Sequence, residues 1–159
     1  MSESCVITRV PQRHDGCLAY INSSGINHVR LTVTDIAWSK AFYDNVFGWP
    51  IAVDATAADP AVANSPEHFF GGVLYRTPQG TLFGLRPASS DAFDATRTGL
   101  DHISFSVDSR ADLDAALRAL DDAGIAHGDV IELAGAGIAI LSFQDPDDIN
   151  IELTAPLAG

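Results

Sequence analysis

The chain has 159 residues, 47% of them hydrophobic, and a formal net charge of −12. Its length and apolar content suit one globular domain with a sizeable core. The acidic excess argues against sequence-independent binding to nucleic acids or to anionic membranes, since both depend on clustered Lys and Arg, and it favours a small-molecule ligand. No apolar run approaches the ~20 residues of a membrane-spanning helix, and the first residues lack the pattern of a signal peptide, so we expect a cytoplasmic protein.

Residues 1–24 have no sustained hydrophobic period and end in a cluster of turn-forming residues, which predicts an N-terminal tail. Residues 18–21 are compatible with a short strand inside it. Both cysteines, Cys5 and Cys17, lie in this tail without the spacing of a metal or redox motif. In a cytosolic protein we expect them to be reduced thiols.

The first half of the folded region is predicted to form a strand, a helix and three further strands. The first strand follows from a regular alternation of apolar and polar residues. Thr34-Asp35 supplies an N-cap for the helix, and Gly48 ends it. The apolar side of the helix is predicted to consist of Trp38, Phe42 and Val46. The predicted bounds are 26–33 for the first strand, 36–47 for the helix, and 49–53, 68–76 and 81–86 for the other strands.

The second half repeats this order after a linker at 91–99. Asp108 or Ser109 caps its helix, whose apolar stripe consists of Leu113, Leu117 and Leu120. The predicted strands are at 100–107, near the end of 125–133, at 137–143 and at 149–154. A single domain at 25–156 is therefore expected, with module one at 25–90 and module two at 99–156. This is an α+β fold, in which eight strands form a curved sheet around a cleft and the helices lie outside.

Three polar residues on these strands are candidate metal ligands. His28 and His102 occupy the same position of the repeated first strand, 102 − 28 = 74 residues apart, and alternation places both on a polar face. Glu152 lies on the polar face of the last strand. Each alone is more often an ordinary surface residue. Together, two imidazoles and one carboxylate are typical of a site that holds a divalent transition metal and leaves positions open for substrate.

Four sequence segments resemble the vicinal oxygen chelate superfamily, namely those at 25–29, 41–49, 101–103 and 145–153. This superfamily includes glyoxalases, extradiol dioxygenases, fosfomycin-resistance transferases, methylmalonyl-CoA epimerases and bleomycin-binding proteins. The resemblance covers about residues 25–156 and implies paired βαβββ modules that often associate as a homodimer. It indicates the fold more strongly than the activity, because members of one fold differ in chemistry.

In this superfamily the metal ligands come from the first and last strands of each module, so the resemblance assigns His28, His102 and Glu152 to three of the four positions. The fourth position falls on Gly84, which has no ligand side chain. Glyoxalases and epimerases usually carry Glu or Gln there, so the glycine counts against those activities. Extradiol dioxygenases and fosfomycin-type transferases are expected to use three ligands, but the strand at 137–143 lacks the additional His and Tyr of the dioxygenases. No clear counterpart of the transferases' potassium loop and basic phosphonate pocket is found.

Further residues could contact a substrate. Arg30 and Arg86 fall on the polar strand faces, where a guanidinium can bind a carboxylate or phosphoryl group bidentately. Each could instead reach solvent at a strand end or pair with one of the many acidic residues, and pairing is the interpretation that we favour. Tyr75 could donate to a bound oxygen or be an ordinary core tyrosine. His68, at the end of a long loop, could exchange protons or be a solvent-exposed loop residue.

The sequence thus predicts a metal-dependent enzyme that acts on a small oxygenated organic substrate, with dioxygenase-like or lyase- or isomerase-like chemistry. The cofactor would be a divalent ion such as Fe, Mn, Zn or Ni. Catalytic residues beyond the metal ligands are not assigned. The alternative is a non-catalytic drug-binding protein of the bleomycin-resistance type, in which the cleft holds a ligand without a metal.

Overall fold

The computed structural model describes residues 23–59, 63 and 65–157. The predicted tail, with both cysteines and the candidate strand at 18–21, lies outside these residues except for its last two positions. Among the described residues, the strands and the two α-helices whose bounds are given below follow one order twice, namely a strand, a helix and three strands. This confirms the two predicted βαβββ modules. The bounds are His28–Val33 (β1), Ile36–Val46 (α1), Ile51–Asp54 (β2), Val73–Arg76 (β3), Leu82–Pro87 (β4), Ile103–Ser106 (β5), Arg110–Ala123 (α2), Ile131–Leu133 (β6), Ile138–Gln144 (β7) and Asn150–Pro156 (β8).

The eight strands form two sheets of four strands each. The first sheet has the order β1-β4-β3-β2 and the second β5-β8-β7-β6. In each sheet the first strand of the module runs parallel to the last, and the other pairs are antiparallel. The modules therefore share one topology, as a repeated sequence predicts.

Both helices begin and end at the predicted signals. The Asp35 side chain accepts hydrogen bonds from the first-turn amides of α1. The Ser109 side chain accepts one from the amide of Asp112 at the start of α2, and Gly124 ends that helix with a left-handed backbone at φ +66°. These caps satisfy backbone groups that the helices leave without intrahelical partners.

One face of each sheet packs against the core. On this face of the first sheet the buried side chains are Leu31, Val33, Val73, Tyr75, Phe83 and Leu85, and Leu74 is also buried but lies on the opposite face. In the second they are Ala139, Leu141, Phe143, Ile151, Leu153 and Ala155. Alternation along every strand directs the remaining side chains to the opposite face. We call this opposite face the cleft face of each sheet.

The apolar side of α1 differs from the prediction by one residue. Trp38 is 62% exposed, whereas the helix buries Ser39 and Tyr43. The Tyr43 hydroxyl donates a hydrogen bond of 3.0 Å to Asp145 Oδ2 in the turn between β7 and β8. Phe83 and Phe105 also meet, with ring centroids 5.5 Å apart. Side chains of module one thus contact module two in the core of one chain.

The strand predicted at 68–76 is wrong in its first half. Pro66–Gly71 forms a 3-10 segment, in which Phe69 and Phe70 have left-handed backbone angles, φ +48° and +54°. Such angles are strained for bulky side chains and persist only when the surroundings hold them. Arg30 donates a hydrogen bond to the backbone oxygen of Phe69, the Arg86 guanidinium lies over the Phe70 ring, and these contacts hold the segment. None of the described helices is long and apolar enough to cross a membrane.

Candidate metal and substrate site

The strand registers show which positions of the two modules correspond. Arg30 on β1 pairs with Gly84 on β4, and Ser104 on β5 pairs with Glu152 on β8. The candidate histidine precedes Arg30 by two residues in module one and precedes Ser104 by two residues in module two. Gly84 is therefore the structural counterpart of Glu152, as the sequence comparison of the modules predicted. At these positions module one has Arg30 beside Gly84, whereas module two has Ser104 beside Glu152.

The two candidate histidines are held in the same way. His28 Nδ1 lies 3.0 Å from Asn27 Oδ1, and His102 Nδ1 lies 2.7 Å from Asp101 Oδ2. In both, the preceding side chain engages Nδ1, and Nε2 is left to bind a ligand. A metal-binding imidazole typically has such a partner on its other nitrogen. The chemistry of both residues fits a metal ion.

Glu152 is half-buried on the cleft face of the second sheet. The Thr154 hydroxyl donates a hydrogen bond of 3.1 Å to Glu152 Oε1, and the hydroxyls of Ser104 and Thr154 lie 2.6 Å apart. This pair of hydroxyls fixes one carboxylate oxygen and leaves the other for a cation. Neither hydroxyl was singled out from the sequence, although both fall on predicted polar strand faces.

The three candidate ligands are not assembled in one chain. His102 directly precedes β5, and Glu152 lies on the neighbouring strand β8 of the second sheet, whereas His28 is the first residue of β1 in the first sheet. Among the described residues there is no group of three His, Cys, Asp or Glu side chains placed to hold a metal ion. The three-residue metal site therefore stays a prediction. The donor atoms of the three residues fit a divalent metal ion, but the described part of one chain does not bring them together.

The space beside Gly84 is occupied by Arg30. A Cβ atom on Gly84 would lie 3.0 Å from Arg30 Cγ and 2.4 Å from Leu74 Cδ2. A Cβ atom on Gly72 would lie 2.5 Å from Arg30 Nη2 and 2.1 Å from the backbone oxygen of Leu85. The two glycines therefore make room for an arginine that crosses the cleft face of the first sheet. The aliphatic stem of Arg30 lies beside Gly84, and its guanidinium lies beside Gly72.

Arg30 and Arg86 form a cationic pair, and neither has an acidic partner among the described residues. Arg30 Nη2 donates to the backbone oxygens of Phe69 and Leu85 at 2.8 and 3.2 Å, and its buried Nε has no partner among the described residues. The Arg86 guanidinium lies 4.1 Å from the ring centroid of Phe70. Burial and the charge of Arg86 lower the pKa of Arg30.

Neither Arg30 nor Arg86 takes part in an ion pair among the described residues. The prediction that each arginine pairs with an acidic residue is therefore wrong. Two neighbouring guanidinium groups that hold no carboxylate can bind an anion. The sequence pointed to both residues but not to the turn that they hold. The Gly71-Gly72 doublet was the available signal for that turn.

Tyr75 and His68 lie apart from these groups. Tyr75 is fully buried on the core face of the first sheet, where its hydroxyl donates a hydrogen bond of 2.9 Å to Asp44 Oδ1. Burial, followed by that carboxylate, raises the pKa of the tyrosine. This arrangement fits the core interpretation, because the hydroxyl points away from the cleft face. His68 is half-buried in the 3-10 segment, with its Nδ1 3.0 Å from Ser65 Oγ.

A family model described as the glyoxalase/bleomycin resistance protein/dioxygenase superfamily matches residues 25–153. This match confirms the resemblance found in the sequence. No curated protein matches the chain significantly.

Solved structures share the fold over most of the chain. A glyoxylase/bleomycin resistance protein/dioxygenase domain from Frankia sp. EAN1pec is 34% identical, with a TM-score of 0.70 over 87% of this chain and 96% of that one. A glyoxalase/dioxygenase from Nostoc punctiforme is 24% identical, with a TM-score of 0.68 over 92% and 100%. A variant of the fosfomycin resistance protein FosX from Listeria monocytogenes, complexed with Mn(II) and 1S,2S-dihydroxypropylphosphonic acid, is 18% identical, with a TM-score of 0.67 over 85% and 94%. The last two similarities concern the fold alone.

Proposed function

The chain belongs to the glyoxalase/bleomycin resistance protein/dioxygenase superfamily, and we propose that it is a metal-dependent enzyme acting on a small, oxygenated, anionic substrate. His28, His102 and Glu152 are its metal ligands. The observation that carries this proposal is the matched setting of the two histidines, each with Nδ1 engaged by the preceding side chain and Nε2 left for coordination.

The ligand set is completed between two copies of the chain in a homodimer. His28 of one copy meets His102 and Glu152 of the other. This is supported by the placement of the ligands on two separate sheets and by the lack of a three-residue metal group within the described part of one chain. Small-molecule binding at such a shared cleft is also consistent with the acidic, non-basic composition.

A divalent ion such as Fe, Mn, Zn or Ni would act there as a Lewis acid for two neighbouring substrate oxygens, or would activate dioxygen if it is iron. The chain's own groups orient the reaction. The hydroxyls of Thr154 and Ser104 hold Glu152 in one orientation. Arg30 and Arg86 bind the anionic group of the substrate, which places its other oxygens at a fixed distance from the ligands. The phosphonate bound to FosX is an anion of this kind.

Elemental analysis of protein purified without chelator tests the proposal. We expect stoichiometric metal in the wild type and its loss in His28→Ala and in His102→Ala. His127→Ala is the matched control, because this histidine is engaged by Gly128 and Asp121 away from the cleft face and should keep the metal. Metal that survives in His102→Ala contradicts the ligand assignment. A wild type without metal after reconstitution supports the alternative of a non-catalytic binding protein.

A further inference from the structure

An apolar patch lies on the cleft face of the second sheet, on the strands farthest from β5. Ile131 pairs with Ile140 and Leu133 pairs with Ile138 across β6 and β7. Side chains of paired residues share a face. Ile131 is 53% exposed and Leu133 is 40% exposed, while the two β7 isoleucines are half-buried. These four residues are called the apolar patch.

Contacts on the other side of β6 support this assignment of the face. Glu132, between Ile131 and Leu133, turns towards α2, where its Oε1 lies 3.5 Å from Arg110 Nε. Its two neighbours in the strand must therefore point away from the helix. On β7 the alternate residues Ala139 and Leu141 are buried in the core. The apolar patch is thus separate from the core.

The apolar patch is continuous with the surroundings of Glu152. Ile140 pairs with Thr154, and Ser142 pairs with Glu152. Directly paired residues have Cβ atoms roughly 4.5–5.5 Å apart. The Thr154 hydroxyl that pairs with Ile140 also holds the carboxylate. The cleft face therefore changes from polar at β5 and β8 to aliphatic at β6 and the first half of β7.

We propose that the apolar patch is a subsite for a hydrocarbon group of the substrate, whose oxygens lie near Glu152. The inference rests on the proposed function for the position of those oxygens. Edge strands usually carry charged side chains, which prevent association with other chains. An edge strand with exposed aliphatic side chains therefore indicates a surface that binds an apolar group. The exposed surface is on the order of a few hundred Å², the size of a small-molecule contact, whereas a stable dimer buries about 800 Å² on each partner. The substrate class is therefore an amphipathic acid, with an anionic end and an apolar body.

Methyl NMR of the metal-free full chain tests the subsite without relying on the metal. Isoleucine δ1-methyl-labelled protein is titrated with butan-1-ol, hexan-1-ol and octan-1-ol. We expect shifts concentrated on Ile131, Ile138 and Ile140, with an affinity that rises about two- to four-fold for each added methylene. Because the probes are neutral and no metal is present, a failure of the metal analysis leaves this result unchanged.

Matched variants identify the surface that responds. Ile131→Ser should remove most of the dependence on chain length, and Leu133→Ser should reduce it; both side chains are exposed, so the fold should be kept. Ile51→Ser is the control, because Ile51 is 44% exposed on the edge strand of the first sheet. Alkanol shifts that are spread over the core isoleucines, or that are unchanged in Ile131→Ser, overturn the proposal. A second result would also overturn it: sedimentation velocity shows that Ile131→Ser has lost a dimer, and alkanols cause no shifts in the wild type. The apolar patch would then be covered by a second copy of the chain.

Discussion

Replacing Gly84 by alanine is expected to destabilise the protein, because the space beside this glycine is already filled. A Cβ atom there would lie 2.4 Å from Leu74 Cδ2, 3.0 Å from Arg30 Cγ and 3.1 Å from the backbone oxygen of Val73. Optimal carbon–carbon contacts are about 3.5–4.0 Å, so the Leu74 side chain must move by about 1 Å or more. Overpacking of this kind typically costs about 1–3 kcal/mol.

In a chain of this length 1 kcal/mol shifts Tm by roughly 2–4 °C, so Gly84→Ala should melt about 2–12 °C below the wild type when circular dichroism follows thermal unfolding. Gly128→Ala is the matched control, since its Cβ would meet only the backbone oxygen of Ser142 at 3.8 Å. The double variant Gly84→Ala/Leu74→Ala should lose less stability than the sum of its single variants. Equal Tm values for Gly84→Ala and Gly128→Ala refute the packing of Arg30 and Leu74 over Gly84.

Substitutions at His127, Tyr43 and Arg30 test three other contacts. The hydrogen bond of His127 with the next backbone carbonyl raises the pKa of the imidazole. Its contribution is complete below the unfolded value of about 6.5 and is lost as the pH rises through the folded pKa, so the Tm difference between wild type and His127→Gln should shrink as the pH rises above about 6.5. A constant difference contradicts this. Tyr43→Phe removes the 3.0 Å donor of the buried Asp145 carboxylate and should lower the unfolding free energy by about 1–3 kcal/mol, measured by urea denaturation; an unchanged midpoint contradicts it. Arg30→Gln should weaken methylphosphonate binding about ten-fold or more in calorimetry, while Arg118→Gln on the exposed side of α2 should not; equal losses would indicate only a change of net charge.

Much of the fold follows from local sequence patterns that occur in both modules. Alternation on the strands placed Leu31 and Val33 towards the core and His28 and Arg30 on the cleft face, because only one face of each sheet is buried. Repetition of the module also made Gly84 the counterpart of Glu152 before any register was known. Such features depend on neighbours in sequence and on the regular geometry of strands.

Other features depend on contacts between distant residues and could not be predicted in this way. The 3-10 segment at Pro66–Gly71 exists where a strand was expected, since Arg30, far away in sequence, bonds the carbonyl of Phe69. Trp38 has the periodicity of a core residue but is exposed, because α1 turns Tyr43 towards Asp145. Only the packed side chains show that Arg30 fills the space beside Gly84.

The arrangement over Gly84 also changes the meaning of the missing ligand. In the sequence alone, the glycine at this position counts against glyoxalase and epimerase activity. The structure places the aliphatic stem of Arg30 and the Leu74 side chain beside Gly84, and the Arg30 guanidinium reaches Gly72, so the cleft face of the first sheet carries a positive charge. A site of this kind is suited to a substrate that carries its own negative charge.

Complementation between two inactive variants tests the proposed shared metal site most directly. His28→Ala and His102→Ala chains, each with a different affinity tag, are co-expressed, and the mixed dimer is isolated on both tags and its metal content measured. A site built between copies leaves one complete ligand set per mixed dimer, so the mixed dimer should hold about half the wild-type metal, whereas either variant alone should hold almost none. No metal in the mixed dimer, when the wild type is fully loaded, would contradict a site shared between two copies.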